Sequence, residues 1–443
     1  MTSVSALLLL IAAMVMGIPI PLAFILSAGY IVMTTGANPL MLFTYGFNNQ
    51  NTILLLTIPL FVLAGSVIDK GGIGEKLIEG LQKVSKGSKT ALGTSTIVAC
   101  AIFGAVSGSA SATTSCIGSI MTPRLKESGY KAGHIGALLA SSGVLGIMIP
   151  PSILMILYAW GTGASVLACF LATIVPGIVL IVMLSLVNAY IVEHDKSPDS
   201  PVAQQHLDEM LANAKRKAGL EAQKKKEHNS SWPAVLMPVL LLGSIYGGVL
   251  TTTEGAAFSV LYSLLVGIFY YRKVDYKTFK SAMTQAGETA GTIMVMLFTV
   301  SILSRLYMTE NLPDLILDGL TAISKNRIVL LLLINVFMIV IGMLMDDCSG
   351  TTLCGPILMP VMAALGVTPV HFAAVLSVNI GMGNITPPTA PLLYLGGRIA
   401  QAEVKDMLKP TFMFIGLAWL PTLLLTTFVP QLSLLLPRLF GYV

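Results

Sequence analysis

Charge is scarce in this chain: Lys, Arg, Asp and Glu make up 11% of its 443 residues, well under the roughly 25% of an average soluble domain. That shortage excludes an ordinary solvated surface. With 55% hydrophobic residues and a mean hydropathy of +0.82, the chain reads as an all-α polytopic membrane protein. The net charge of +5 is expected to hold cytoplasmic loops in place, and no nucleic acid partner is expected. Cysteine is also sparse. Cys100, Cys116, Cys169, Cys348 and Cys354 are odd in number and form no CxxC pair, which excludes a disulfide framework or a zinc site and leaves buried thiols. Histidine is as rare, and only His134 and His371 fall outside residues 192–231. A serine nucleophile needs a neighbouring base, so hydrolysis within the membrane is disfavoured and the chain is not expected to be an enzyme. No GxxxxGK[ST] loop is present, so ATP is not expected as the energy source. The first apolar segment has neither a basic leader nor a small-residue cleavage site, and is expected to stay as a membrane helix.

What the chain does have is long apolar runs, several interrupted by polar or helix-breaking residues. Apolar stretches cover residues 4–17, 19–35, 52–69, 90–106, 134–160, 163–191, 233–251, 255–271, 289–306, 328–345, 370–397 and 410–430, with short ones at 116–122 and 355–366. A hydrocarbon core of about 30 Å needs roughly 20 helical residues. Paired longer and shorter arms joined by a polar tip, about 90–128 and again about 328–366, therefore read as re-entrant helical hairpins. "GVLGIMIPPS" at 143–152 and "IGMGNITPPT" at 380–389 place glycines and a proline pair inside apolar runs, which predicts broken helices about 134–160 and 370–397. Residues 72–87 and 311–325 look like amphipathic helices on the membrane surface.

These features recur at a nearly constant interval. Pro123 and Pro360 lie 237 residues apart, as do Pro150 and Pro387, while "TTSC" at 113–116 returns as "TTLC" 238 residues later. Two repeats are expected, residues 1–191 and 232–443, joined by a charged cytoplasmic linker at 192–231. That linker carries Lys215, Arg216, Lys217, Lys224, Lys225 and Lys226 and is expected to meet anionic lipid at most weakly. Five crossings per repeat would invert the second against the first. Lys70, Lys76, Lys83, Lys86, Lys89, Arg124, Lys126 and Lys131 flank the first hairpin, against Lys325 and Arg327 at the second. The first hairpin is thus expected to open to the cytoplasm and the second to the far side, with both termini outside.

Inside a membrane, backbone freed from helices is tolerated only where protein or a water-filled cavity satisfies it. Six hydroxyl residues between Ser107 and Ser115 and the carbonyls freed at the breaks are neutral hard-oxygen ligands suited to Na+, the expected coupling ion. Helix N-termini favour carboxylates. Inverted repeats with discontinuous helices are the architecture of a secondary transporter, and close helix packing through small residues is the simpler reading of the Ser/Thr/Gly run. A channel with re-entrant loops is a competing class.

The chain also resembles a known family through "GIPIPLAF" at 17–24, "SGSASATTS" at 107–115, "GIMIPPS" at 146–152, "YGGVLTTTEGAAF" at 246–258, "MDDCSGTTLCGPILMP" at 345–360 and "NITPPTAP" at 384–391. These stretches look like the large membrane subunit of a tripartite ATP-independent periplasmic (TRAP) transporter, DctM or SiaM type. The resemblance implies an elevator-type carrier in a bacterial inner membrane. It also implies a small four-helix membrane subunit, a periplasmic substrate-binding protein that delivers an organic acid, and sodium as driving ion. C4-dicarboxylates, sialic acid and other sugar acids are the implied cargoes, with a lean to sialic or sugar acids. A divalent-anion symporter taking free substrate is the nearest rival. Thr252, where a proline is common, and Thr389-Ala390-Pro391 after the second proline pair depart from the family pattern.

Candidate roles follow by position. Ser107, Ser109, Thr113, Thr114 and Ser115, with carbonyls around Gly143 and Gly146, are expected to frame one sodium site. Ser349, Thr351 and Thr352, with the backbone around Gly381, Gly383 and Thr386, are expected to frame its counterpart. Asn379 and Asn384 either bind substrate oxygens or stitch the broken helix together. Ser111, Pro150, Pro151, Pro387 and Pro388 beside the breaks complete the candidate substrate contacts. Asp346 and Asp347 join them because an intramembrane carboxylate is costly and functional by default. Glu254 is expected to cap or dock rather than carry ions.

Overall fold

The computed structural model describes residues 2–76, 89–194 and 230–442. Most of the 192–231 linker and the greater part of the 72–87 surface helix therefore lie outside the described residues. All regular elements among the described residues are helices. The first group is α1 (Thr2–Val15), α2 (Ile20–Thr35), α3 (Pro39–Gln50) and α4 (Thr57–Lys70). Helix α5 (Lys89–Ser107) and α6 (Ala110–Glu127) form the first hairpin, turning at Gly108-Ser109. Next come α7 (Ala132–Gly143), the single turn α8 (Leu145–Met148) and α9 (Ile153–Thr162), which bend by 48° at the Pro150-Pro151 break, and then the long α10 (Val166–His194).

The second half follows the same order. Helix α11 (Trp232–Tyr246) and α12 (Thr252–Leu265, extended by a π turn at Val266–Tyr270) precede α13 (Tyr276–Thr309) and α14 (Leu312–Ile323). Helix α15 (Arg327–Leu344) and α16 (Asp347–Ala364) form the second hairpin, and α17 (Pro369–Gly383) and α18 (Pro391–Ala400) the second broken helix. The chain closes with α19 (Val404–Phe414), a π turn at Ile415–Trp419, α20 (Leu420–Phe428) and α21 (Pro430–Leu439). Both expected hairpins and both breaks are present, and a helix lies within 311–325. Among the described residues, seven helices are long and apolar enough to cross a membrane, or eight with the bent pair, beside four shorter apolar ones that include α1, α2 and α11. Helix α3 was not expected, because Asn48, Asn49 and Gln50 dilute its hydropathy; Asn38 starts it by accepting from Leu40 N at 3.0 Å.

Lipid offers no hydrophobic force between helices, so these helices associate by close packing of small residues and by hydrogen bonds. The two halves show the same device. A Cβ on Gly104 would stand 2.5 Å from Gly146 Cα, and a Cβ on Gly383 would stand 2.6 Å from Gly342 Cα. Each hairpin is therefore seated against its own broken helix at backbone contact. The halves also interlock: α7 of the first packs on α18 of the second, and α9 packs on α16. Tyr158 in the middle of α9 donates to Pro369 O at 2.7 Å. Helices α2, α3, α4, α12 and α13 form a second group, with α13 packed along α2, α3 and α4. The 34 residues of α13 extend about 51 Å at 1.5 Å per residue, longer than the hydrocarbon core. An outward stripe on α10 (Ile178, Val182 and Leu186, each over 50% exposed) repeats every fourth residue and suits a lipid-facing helix.

Candidate functional site

The hairpin tips are built by helix-ending chemistry. Gly108 adopts φ +61°, which costs glycine nothing. A Cβ there would meet Pro151 O at 2.9 Å, and Gly108 O accepts from Ile153 N at 3.2 Å, so the tip is clasped by the first break. Ser109 then caps α6, accepting from Ala112 N at 3.4 Å. In the second hairpin Asp346 caps α16, its Oδ2 accepting from Cys348 N at 3.1 Å and its Oδ1 accepting from the Ser349 hydroxyl. The Asn384 amide nitrogen, at the second break, donates to Gly342 O at 3.0 Å and Met345 O at 3.2 Å. Thr389 Oγ1 also donates to Met343 O. The first unwound segment thus bonds the neighbouring tip through its backbone and the second through its side chains, so that freed backbone groups find partners, as intramembrane loops require.

Both tips open onto one cavity of about 510 Å³. Ser107, Ser109, Ser111 and Ser115 line it from the first hairpin, and Asp346, Asp347 and Cys348 from the second. Ile153, Asn384, Pro391 and Leu392 close it from the breaks. One oxygen from each of Asp346 and Asp347 and the Cys348 sulfur lie within 4.8 Å of one another. The opposite wall comes from the second helix group: Ser66 and Asp69 on α4, and Gln285, Thr289 and Thr292 on α13. Sequence reasoning missed these five. Positions 285, 289 and 292 share one helical face, a polar stripe that was legible on α13; nothing local tied it to the hairpins.

The other candidates lie beneath the cavity surface. Thr113 Oγ1 donates to Ser109 O at 2.8 Å and sits 3.1 Å from Ser107 Oγ. Thr114 donates to Ala110 O at 2.9 Å. Gly143 and Gly146 pack under those two threonines: a Cβ on Gly143 would lie 1.9 Å from Thr114 Oγ1, and one on Gly146 would lie 2.4 Å from Thr113 Oγ1. In the second half Thr352 donates to Cys348 O at 2.7 Å and Thr386 to Met382 O at 2.6 Å, whereas the buried Thr351 Oγ1 has no hydrogen-bond partner. Ser349 is wholly buried, and Gly381 packs on Val144 and Trp419. Pro150, Pro151, Pro387 and Pro388 shape the breaks, with both pairs joined by cis bonds, and do not line the cavity. Asn379 does not line it either. Its amide donates to Asn335 Oδ1 at 3.0 Å and Val375 O at 2.8 Å, and Asn335 donates to Thr427 Oγ1 at 3.1 Å. Of its two expected roles the structure displays the stitching one. Glu254 forms a capping box with Thr251, each satisfying the other's backbone N–H, as expected for a residue that caps.

A family model described as tripartite ATP-independent periplasmic transporter, DctM component, matches residues 7–432. The isethionate TRAP transporter permease protein DctMQ of Oleidesulfovibrio alaskensis is 29% identical over 95% of this chain, which spans only 64% of that longer protein. The C4-dicarboxylate TRAP transporter large permease protein DctM of Pseudomonas aeruginosa is 29% identical over 89% of this chain and 88% of its own. The sialic acid TRAP transporter large permease protein SiaM of Vibrio cholerae is 27% identical over 96% of each. Among solved structures, the Alcanivorax borkumensis YdaH transporter superposes with a TM-score of 0.56 at 16% identity, covering 91% of this chain and 88% of that one. That likeness is one of fold.

Proposed function

Since the chain belongs to the DctM component family of tripartite ATP-independent periplasmic transporters, as a large membrane permease, we propose that it imports an organic acid across a bacterial inner membrane by sodium coupling. A periplasmic binding protein delivers the cargo, and a small four-helix membrane subunit completes the transporter. The observation that carries this reading is the single cavity into which both hairpin tips and both helix breaks open. The relatives are named for isethionate, C4-dicarboxylates and sialic acid; an organic acid is what those cargoes share.

The residues present fit sodium. The hairpins bring hydroxyl and carbonyl oxygens, hard neutral donors, and the Thr351 hydroxyl is buried without a partner, a cost normally avoided unless a ligand meets it. Ser107, Ser109, Thr113, Thr114 and Ser115 would hold one ion with carbonyls near Gly143 and Gly146. Ser349, Thr351, Thr352 and carbonyls near Gly381, Gly383 and Thr386 would hold another. Neutral donors strand no charge when the ion leaves. A monoanion entering with two Na+ carries one net charge, worth about 2.3 kcal/mol per 100 mV, or roughly fifty-fold accumulation.

Movement follows from the two helix groups. The hairpins and broken helices are stitched to one another at backbone distance, and α4 and α13 pack against α5 and α16 beside the cavity they share. In the proposed elevator step, the hairpins and broken helices slide as a body along α2, α3, α4, α12 and α13. The end of α4 and the start of α13 lie on one side of the molecule, which the excess of Lys and Arg there makes the cytoplasmic one in this reading: Lys273 Nζ lies 2.6 Å from Glu75 Oε2, and Lys70 Nζ lies 2.6 Å from Ser281 Oγ. Uptake into proteoliposomes tests the whole reading, with sodium, membrane potential, small subunit and candidate binding protein added one at a time. Accumulation that requires all components supports it. Uptake without sodium and without a soluble component overturns it, and sodium-driven uptake without the binding protein points to a free-substrate symporter.

A further inference from the structure

The two hairpin tips stand in register yet differ in charge. Ser109, which caps α6, and Asp346, which caps α16, are 237 residues apart, the interval that separates the two proline pairs. One helix N-terminus facing the cavity is therefore capped by a neutral hydroxyl, and its counterpart by a carboxylate followed by another, Asp347. A third carboxylate, Asp69, faces the same space from α4. No Lys, Arg or His is among the described residues lining the cavity, and the nearest base in sequence, Lys70, is turned to Ser281 at 2.6 Å.

A plain anion suits only half of this space. The α6 end offers a positive helix terminus and the Ser109, Ser111 and Ser115 hydroxyls, a favourable seat for an acid group. The α16 end repels it. Asp346 and Asp347 present oxygens within 4.8 Å of one another, and a single ammonium set to one side of the line between them reaches both at the usual 2.7–2.9 Å or so of a charged hydrogen bond. Sodium held by the neutral donors of the hairpins leaves these carboxylates uncompensated.

We propose that the cargo is a zwitterionic organic acid, its cationic amine held between Asp346 and Asp347 and its acid group seated at the hydroxyl-capped N-terminus of α6. This inference rests on the reading of the cavity as the cargo site. It specifies the cargo's class: an amino acid or aminosulfonate. A zwitterion accompanied by one Na+ moves the same net charge as a monoanion with two.

The test uses matched compounds that differ only by an amine in place of a hydroxyl: taurine against isethionate, 4-aminobutyrate against 4-hydroxybutyrate, and glutamate against 2-hydroxyglutarate. Each is titrated at fixed sodium against the thermal unfolding of the full chain in lipid nanodiscs. The amine of at least one pair is expected to half-saturate at a concentration at least tenfold lower than its hydroxy partner, and Asp346→Asn or Asp347→Asn to shrink that gap below threefold. Equal or tighter binding of the hydroxy compounds, as when sodium itself bridges the carboxylates, overturns the zwitterion while leaving organic-acid transport intact. Binding of neither series overturns the zwitterion likewise, and the proteoliposome assay then decides organic-acid transport separately. If the variants do not fold, the wild-type Cys348 thiol, which lines the cavity, reports the field directly. Aminoethyl methanethiosulfonate should modify it at least tenfold faster than the sulfonatoethyl reagent, after normalisation to a free thiol; equal rates or the reverse order overturn the proposal.

Discussion

A methyl group at residue 146 has nowhere to go. It would stand 2.4 Å from Thr113 Oγ1 and 2.6 Å from Ser109 O, and backbone cannot swing aside as a side chain does. Gly146→Ala is expected to lose about 1–3 kcal/mol through overpacking, read as a lower unfolding temperature in detergent. Gly29→Ala, where a Cβ meets nothing within 4 Å, should leave that temperature within a degree or two. Thr351→Val makes the opposite kind of test. Its hydroxyl has no partner to lose, so the variant should fold as the parent does, while sodium activation of uptake weakens. Ser109→Val should weaken it too; sodium activation unchanged in both would refute the ion sites at the tips.

Helix ends carry the next scale. Thr251 and Glu254 share the capping box of α12, and Thr251→Ala should cost about 1 kcal/mol. Thr252 occupies the first helical position, where a missing N–H is harmless, so Thr252→Pro is expected to match or exceed the parent's unfolding temperature. Asp275 caps α13, and hydrogen bonds from the Thr278 side chain and backbone hold its carboxyl below the usual carboxylate range. A depressed carboxylate contributes stability above its ordinary pKa and loses it as pH falls through the lowered value. Asp275→Ala should therefore destabilise at neutral pH, with the difference from the parent closing in acid, as thermal unfolding across a pH series will show. At this scale the sequence was easiest to read. Proline pairs, glycines and polar tips act locally, so hairpins and breaks were visible where they occur. Helix α3 was hidden because its polar end spoils the apolar average, although that end is used: Gln50 Nε2 donates to Met294 O at 2.6 Å, and Asn49 O accepts from Trp160 Nε1 at 3.3 Å.

The cavity belongs to the whole molecule. The hairpin serines and the acidic pair could be nominated from sequence, because polar residues in lipid stand out. Their opposite wall on α4 and α13 could not, because nothing within a helix says which distant surface it will face. Asn379 showed the reverse difficulty: a polar residue beside a break, yet turned away to join helices. One pair of positions tests whether the two helix groups move past each other. A Cβ on Gly65 of α4 would stand 3.6 Å from Ser107 Cβ, inside the range of about 3.5–4.5 Å that a disulfide spans. Oxidising a Gly65→Cys, Ser107→Cys double variant should arrest uptake, and reduction should restore it; undiminished transport by the fully cross-linked protein would rule out sliding at this contact.

The interlocking of the halves has a consequence for biosynthesis. Helix α7 ends at Gly143 and finds its packing surface on α18, which begins at Pro391. At about 5–20 residues per second, a ribosome needs roughly 12–50 s to make the intervening chain. Throughout that wait the first broken helix, with its unwound prolines, sits in the bilayer or the insertion machinery with half its neighbours unmade. Nascent chains stalled before residue 391 should therefore be held by insertase or chaperone and be degraded when released.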